Sequence, residues 1–300
     1  MRIRLHTQGA DIDYVEERLG RELYSHFRGL ARVAAFRIHA VARAHDLYEE
    51  ASQDALPESE VAGRGLLVLQ RAMLCAEDLG SVLWALAGDV QGNWLRLTSY
   101  RPDDLDGIYR GLLDGGLNIV DLWSMPTDAA IAEREGRSDS QRAAVRRFRG
   151  LVTTEIRERL EPAAAFWLGL RVGVKATMHG FSVLASEHLI APPGAGVLGE
   201  QFDLNRPRPF AASLVSTVDD AKREVETTHH LIDLTPGSIA DARNVAERCC
   251  ESLTSLAGAW LYAIETRHAF VMDPVLLARM SPGEQAAVAE FFDEGEEVAV

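Results

Sequence analysis

Two Glu-x-x-His motifs in the C-terminal third of the chain have residue types and a spacing that suit a metal site. They are Glu226-Thr-Thr-His229 and Glu265-Thr-Arg-His268. On a helix, residues three apart share a face, and carboxylate-bridged dimetal bundles present their ligands in this way. If the helices on either side of Pro236 form an antiparallel hairpin, however, the motifs lie about 25–30 Å out of register along the helix axis. A dimetal helical bundle is therefore the second alternative function.

An arginine–histidine pair is the other candidate for chemistry. Arginine can stabilise a transition-state phosphate while histidine acts as general acid or base. Arg32 and His39 lie on one face of a predicted helix. The pair is similar to the arginine–histidine motif of all-helical bacterial ribonucleases of the HEPN superfamily, although Val33 follows the arginine where that family usually has a polar residue. The resemblance implies metal-independent RNA cleavage across a dimer groove, which is the first alternative function.

Basic side chains recur along the first predicted helix at positions within about 60° of one another. They are Arg21, Arg28, Arg32, His39 and Arg43. A second basic cluster consists of Arg142, Arg146, Arg147 and Arg149. Each group either forms an anion-binding or partner-binding surface or pairs with acids of neighbouring helices. From the first group, Arg28 and Arg43 are the candidates for binding an anion or a partner.

Three more side chains are candidates for binding an anion or a partner. Arg206 and Arg208 alternate with prolines in the segment 205–209, where proline restricts the backbone and limits the entropic cost of binding. His179 is near the end of a predicted helix, where its charged form would interact favourably with the helix dipole.

Composition and charge narrow the classes of partner. The formal net charge is -14, which argues against nucleic-acid binding through the overall field and leaves only a local arginine patch for it. Nucleotide-binding and hydrolase signatures are missing from the sequence, and we expect no cofactor. The longest central uncharged run, Ser252 to Ile264, is shorter than the about 20 residues that span a bilayer, so we expect no membrane helix. Three cysteines form neither a disulfide framework nor a zinc motif, which favours a cytoplasmic location.

Helical periodicity dominates the chain and predicts an all-α fold. The predicted helices cover about 11–51, 57–87, 102–114, 117–124, 138–186 with a bend at Pro162, 219–234, 238–268 and 281–292. The exception is a segment rich in proline and glycine near 190–217, which we interpret as a long loop or a short hairpin between Val197-Leu198 and Ala212–Val215. We expect one multi-helix domain of about seven to nine helices over 1–300, with a possible subdomain junction near 90–137 and an acidic tail at 293–300.

Helices without a catalytic signature favour a function in binding. We expect a module that associates with itself, as a homo-oligomer, or with a protein partner. The ribonuclease and the dimetal protein stay open as alternatives.

Overall fold

The computed structural model describes residues 12–87, 100–179, 182–185, 210–219, 224–266 and 274–292. These ranges contain nine helices, so the prediction of an all-α domain with seven to nine helices is confirmed. The helices are α1 (Ile12–Gln53), α2 (Glu58–Leu86), α3 (Pro102–Leu113), α4 (Ile119–Leu122), α5 (Asp128–Glu133), α6 (Asp139–His179), α7 (Pro236–Thr266), α8 (Pro274–Leu277) and α9 (Pro282–Phe292). Three strands accompany them: β1 (Ser182–Ala185), β2 (Phe210–Asp219) and β3 (Glu224–Asp233).

Helices α1, α2 and α7 pack against one another and form the centre of the fold. On α1, Ala34, Val41 and Tyr48 follow each other at intervals of seven residues and are buried. Ala44 and Ala51 are also buried and complete a heptad-like stripe, which is typical of helices packed side by side. The stripe covers only the inner side of α1.

Helix α6 joins this bundle to the smaller helices α3 and α9, which pack along it. The helix continues through Pro162, beside which Leu160, Ala163 and Ala164 are fully buried. Trp167, one turn further, is also fully buried. One continuous hydrophobic core therefore runs from α1 to α9 in the described part of the chain.

Two helix starts show how local chemistry sets the boundaries. At the start of α9 a capping box is present: the Ser281 amide donates to the Glu284 carboxylate at 2.9 Å, and the Glu284 amide donates to Ser281 Oγ at 3.4 Å. Helix α5 lies in a stretch that its polar composition did not identify as helical. It begins after Thr127, whose Oγ1 accepts a hydrogen bond from the Ala130 amide at 3.2 Å.

The prediction of a helix over 219–234 is wrong. Strand β3 occupies Glu224–Asp233 and pairs antiparallel with β2 along its full length, from Phe210↔Asp233 to Asp219↔Glu224. This segment contains the β-branched residues Val225, Thr227, Thr228 and Ile232. Such residues fit a pleated strand better than a helix, and the ladder to β2 adds hydrogen bonds that no local pattern reveals.

Of the hairpin expected near 190–217, the structure describes one strand, and its partners are other segments of the chain. Residues 186–209, including Val197-Leu198, lie outside the described residues. Ala212–Val215 do form a strand, in the middle of β2, and they pair with β3 on one side. On the other side β2 pairs with β1, which begins where the 138–186 helix was expected to continue. The sheet order is β1-β2-β3, and both neighbours of β2 are antiparallel.

No helix in the described ranges has the length and apolar character needed to cross a bilayer.

Gly80 of α2 provides a test of the packing between α2 and α3. A Cβ atom at this position would lie 2.9 Å from Cε2 of Tyr109, a fully buried ring whose hydroxyl donates to the Ala76 carbonyl. We expect Gly80→Ala to lower the free energy of unfolding by about 1–3 kcal/mol, because the tyrosine has no space into which it can move. Urea unfolding followed by circular dichroism measures this change.

Gly150→Ala is the matched control, since Gly150 is an exposed residue within α6 and its Cβ would meet nothing within 4 Å. The control is expected to gain about 0.5–1 kcal/mol from helix propensity. Equal effects of the two substitutions would contradict the packing described here.

Candidate functional site

The side of α1 that faces away from the bundle carries the candidate residues of the first basic group. We call this surface the α1 outer face. It consists of Arg32, Phe36, His39, Arg43, Asp46 and Glu50, all exposed and all within about 80° of one another around the helix axis. Phe36 has 67% of its surface exposed and lies between Arg32 and His39 along the helix axis.

A bidentate ion pair fixes which side of α1 faces outward. Arg37 donates from Nε to Asp78 Oδ2 at 2.6 Å and from Nη2 to Asp78 Oδ1 at 3.3 Å, linking α1 to α2. Hydrogen bonding to this carboxylate raises the pKa of Arg37 above its ordinary value. Because Arg37 lies on the same half of α1 as the buried Ala34 and Val41, the pair and the core together determine the rotation of the helix.

Charge is unevenly distributed along the α1 outer face. The basic residues Arg32, His39 and Arg43 precede the acidic residues Asp46 and Glu50. One contact connects the two halves, between Arg43 Nη1 and Glu50 Oε1 at 3.9 Å, and both side chains stay more than half exposed. A long, exposed pair of this kind contributes little to stability, so both groups are available for other contacts.

The other anion-binding or partner-binding candidates do not join this surface within the described part of the chain. Arg28 belongs to helix α1, and its side chain is outside the described residues. Arg206 and Arg208 are also outside them. His179 is the last residue of α6, and its side chain is not among those described.

The two Glu-x-x-His motifs are not both presented by helices. Glu226 and His229 belong to strand β3, where they stand opposite Thr217 and Leu214 of β2. The helical i, i+3 geometry expected for this motif is therefore wrong. Glu265 is in the last turn of α7, and His268 lies outside the described residues.

Three arginines of the second basic cluster pair with acids of neighbouring elements, and Arg142 pairs with Asp139 of its own helix. Arg149 and Arg146 contact the same carboxylate oxygen of Asp128, at 2.8 and 3.3 Å. The hydrogen bond from Arg149 is the main reason that the pKa of Asp128 is lowered. Arg147 pairs with Glu284 of α9 in the same way. These contacts hold α5 and α9 against α6, so the cluster acts in packing.

A histidine–carboxylate group on α1 has metal-ligating residue types. Within the described ranges, ligand atoms of His45, Asp46 and Glu49 lie within 4.8 Å of one another. Arg243 of α7 places its Nη1 at 3.3 Å from His45 Nδ1. Arginine can only donate, so Nδ1 accepts this hydrogen bond and its lone pair is occupied. The positive guanidinium at this position also opposes a cation, and the contact is better explained as α1–α7 packing.

A partly buried polar cluster between α2 and α6 was missed by the sequence analysis. Lys175 Nζ lies 2.6 Å from Glu77 Oε1, and the hydroxyl of Tyr100 donates to the same oxygen at 3.0 Å. Burial, together with the negative charge of Glu77, raises the pKa of Tyr100 to about 12. The ammonium group of Lys175 also lies 5.1 Å from the centre of the Trp167 ring. These groups contact one another between α2 and α6, which indicates a structural role.

Asp106 of α3 continues this polar cluster. Its Oδ1 accepts from Trp167 Nε1 at 2.8 Å, and its Oδ2 lies 2.6 Å from Arg171 Nη2. Its side chain is only 12% exposed, so the two α6 donors replace most of its contact with water. Asp103 and Asp104, which precede it, lie in the first turn of α3. The partners of Asp106 are more than sixty positions away along the chain, and no local signal points to them.

The three cysteines are free and buried. Cys75 of α2 and Cys250 of α7 have their sulfur atoms 3.9 Å apart, and burial raises the pKa of the neighbouring Cys249. All three side chains are enclosed by the core, where free cysteine packs as a small apolar residue.

No family model, curated protein or solved structure matches this chain.

The role of Asp106 can be tested with a pair of substitutions beside one arginine. Asp106→Asn removes the charge that Arg171 contacts in the interior, and we expect a loss of about 1–3 kcal/mol in the free energy of unfolding. Asp103→Asn is the matched control, because Asp103 lies 3.5 Å from the same guanidinium group but is 92% exposed.

For the control we expect less than about 1 kcal/mol, as for other exposed pairs. Chemical denaturation of both variants measures the difference. A loss that is as large at Asp103 as at Asp106 would show that burial does not set the strength of these contacts.

Proposed function

We propose that this chain is a helical module that binds a protein partner or a second copy of itself through the α1 outer face. The observation that carries the proposal is the exposure of Phe36, an aromatic side chain that is two-thirds accessible in the middle of a basic face. Aromatic residues and arginine are enriched in protein interfaces, where they are often the side chains that contribute most to affinity.

The energetics of α1 support this assignment. Its inner side already supplies the bundle with Ala34, Val41 and Tyr48. Phe36 therefore adds little to the core, whereas full burial of a phenylalanine side chain in an interface contributes about 1.5–3 kcal/mol. The long stems of Arg32 and Arg43 can cover the edges of the ring while their charges stay in water.

The remaining expectations fit such a module. Free, buried cysteines are compatible with a reducing compartment, and we propose a cytoplasmic location. Binding by side chains alone requires no cofactor. The net charge of -14 favours a protein over nucleic acid as partner.

Phe36→Glu tests the proposal directly. The substitution introduces a charge between Arg32 and His39 on the α1 outer face, and we expect at least about tenfold weaker association. Because the inner side of α1 is unchanged, we expect the melting temperature to stay the same. Sedimentation velocity over a concentration series measures self-association, and binding of each partner that copurifies is measured with the purified components.

Val275→Glu is the matched control, since Val275 of α8 is also 67% exposed. We expect the control to associate like the unchanged protein. Association that survives Phe36→Glu, or that is lost equally in the control, would remove the α1 outer face as the interface.

A metal-independent ribonuclease is the second candidate function, and one observation favours it. Arg32 and His39 are both exposed on the same face of α1, about 10 Å apart along the helix axis. Two copies of this face could place an arginine from one and a histidine from the other beside one phosphodiester.

Cleavage of labelled RNA in the presence of a chelator tests this candidate. We expect His39→Ala to abolish cleavage and to leave the melting temperature unchanged, because the side chain is exposed and outside the core. A pure protein that leaves RNA intact, or a variant that cleaves at the original rate, would refute the ribonuclease.

A further inference from the structure

We infer that the occupant of the α1 outer face is a second copy of this chain, packed with its α1 antiparallel to the first. The inference rests on the proposed function and names its partner. It follows from the order of charges along the face and from the position of Phe36 between Arg32 and His39.

When a second copy lies antiparallel to the first, the charges of the two α1 outer faces are complementary. Its first half carries Arg32, His39 and Arg43, and its second half carries Asp46 and Glu50. Consider an antiparallel pair with its two-fold axis at His39. Two residues, one from each copy, then lie opposite each other when their numbers add up to 78. Arg32 then faces Asp46 of the second copy. This pair occurs twice because a two-fold interface uses the same surface on both copies.

Parallel pairing has the opposite consequence. It would place Arg32 against Arg32 and Glu50 against Glu50, and like charges placed opposite each other in an interface are costly. The order of charges therefore selects the antiparallel arrangement.

Phe36 gives this arrangement an apolar contact about one turn from the two-fold axis, on both sides of it. In the same register, Phe36 of one copy lies beside Ala42 and Arg43 of the other, on both sides of the axis. The Arg43 side chain is 67% exposed, so it can place its guanidinium group over the ring of the second copy. A cation above an aromatic face is attracted to it, and more strongly when the contact is shielded from water.

The size of the surface sets the expected affinity. Residues 29–50 extend over about 33 Å of helix. A contact one helix wide is narrower than the about 800 Å² per partner of a standard stable complex. We therefore expect a reversible dimer with a dissociation constant in the micromolar range, about 1–100 µM.

A charge-swap experiment tests both the partner and its direction. In Arg32→Glu, a new carboxylate faces Asp46 of the second copy. In Asp46→Arg, a new guanidinium group faces Arg32. Each variant alone is expected to dimerise at least about tenfold more weakly than the unchanged protein. An equimolar mixture of the two restores both ion pairs, and we expect heterodimers at close to the original affinity.

The matched control mixes Arg32→Glu with Asp114→Arg, whose new charge is on an exposed residue at the end of α3. This mixture should stay as weak as Arg32→Glu alone. Sedimentation velocity with one labelled component measures all mixtures, and circular dichroism verifies that every variant is folded.

A heterodimer that forms only with Asp46→Arg supports the inference. An unchanged protein that is monomeric up to about 500 µM, or a swap that fails to restore dimerisation, overturns it. In either case, loss of binding of a separate protein partner in Phe36→Glu would leave the proposed function standing. A dimer that is unaffected by Phe36→Glu and by both charge changes would overturn the inference and the self-association form of the proposed function together.

Discussion

The rotation of α1 about its own axis is the constraint on which the candidate interface depends. Two kinds of contact set it: the buried stripe through Ala34 and Val41, and the bidentate pair between Arg37 and Asp78 of α2. The stripe requires the inner side to face α2 and α7, and the ion pair adds a directional contact that apolar packing does not provide. With both satisfied, Phe36 must face outward, although burial would be favourable for its side chain.

The arginines of this chain differ in function according to whether an acid is within reach. Arg146 and Arg149 converge on Asp128, and their charge is neutralised between α5 and α6. On α1, the contact that Arg43 makes with a described acid is the 3.9 Å contact to Glu50. Sequence alone presents the two groups as equivalent clusters on predicted helices. What separates them in the described ranges is the tertiary position of the acids, which makes one cluster part of the packing and leaves the other on the exposed side of α1.

The parts of the structure that were predictable are those fixed by neighbours along the chain. The length of α1 follows from helical periodicity, and the start of α9 follows from a capping box of four residues. Strand β3 was mistaken for a helix because its stability comes from pairing with β2, an interaction outside any local window. The ion pair of Glu77 with Lys175 connects residues 98 positions apart, so only the fold reveals it. For the candidate site, the basic stripe was predictable from the sequence. Phe36 was overlooked, although helical spacing places it on the same face as Arg32 and Arg43.

Folding and association use different residues of α1, and this separation has a physical consequence. The contacts that stabilise the bundle are made by the inner stripe and by Arg37, while the α1 outer face adds almost no packing within one copy. Its sequence is therefore not restricted by the stability of the monomer, and charge or polarity would serve solubility better than an exposed aromatic ring. A phenylalanine between basic residues, followed by acids about three and four turns further on, is a pattern that folding alone does not require. The proposed association through this face would give a physical reason for it.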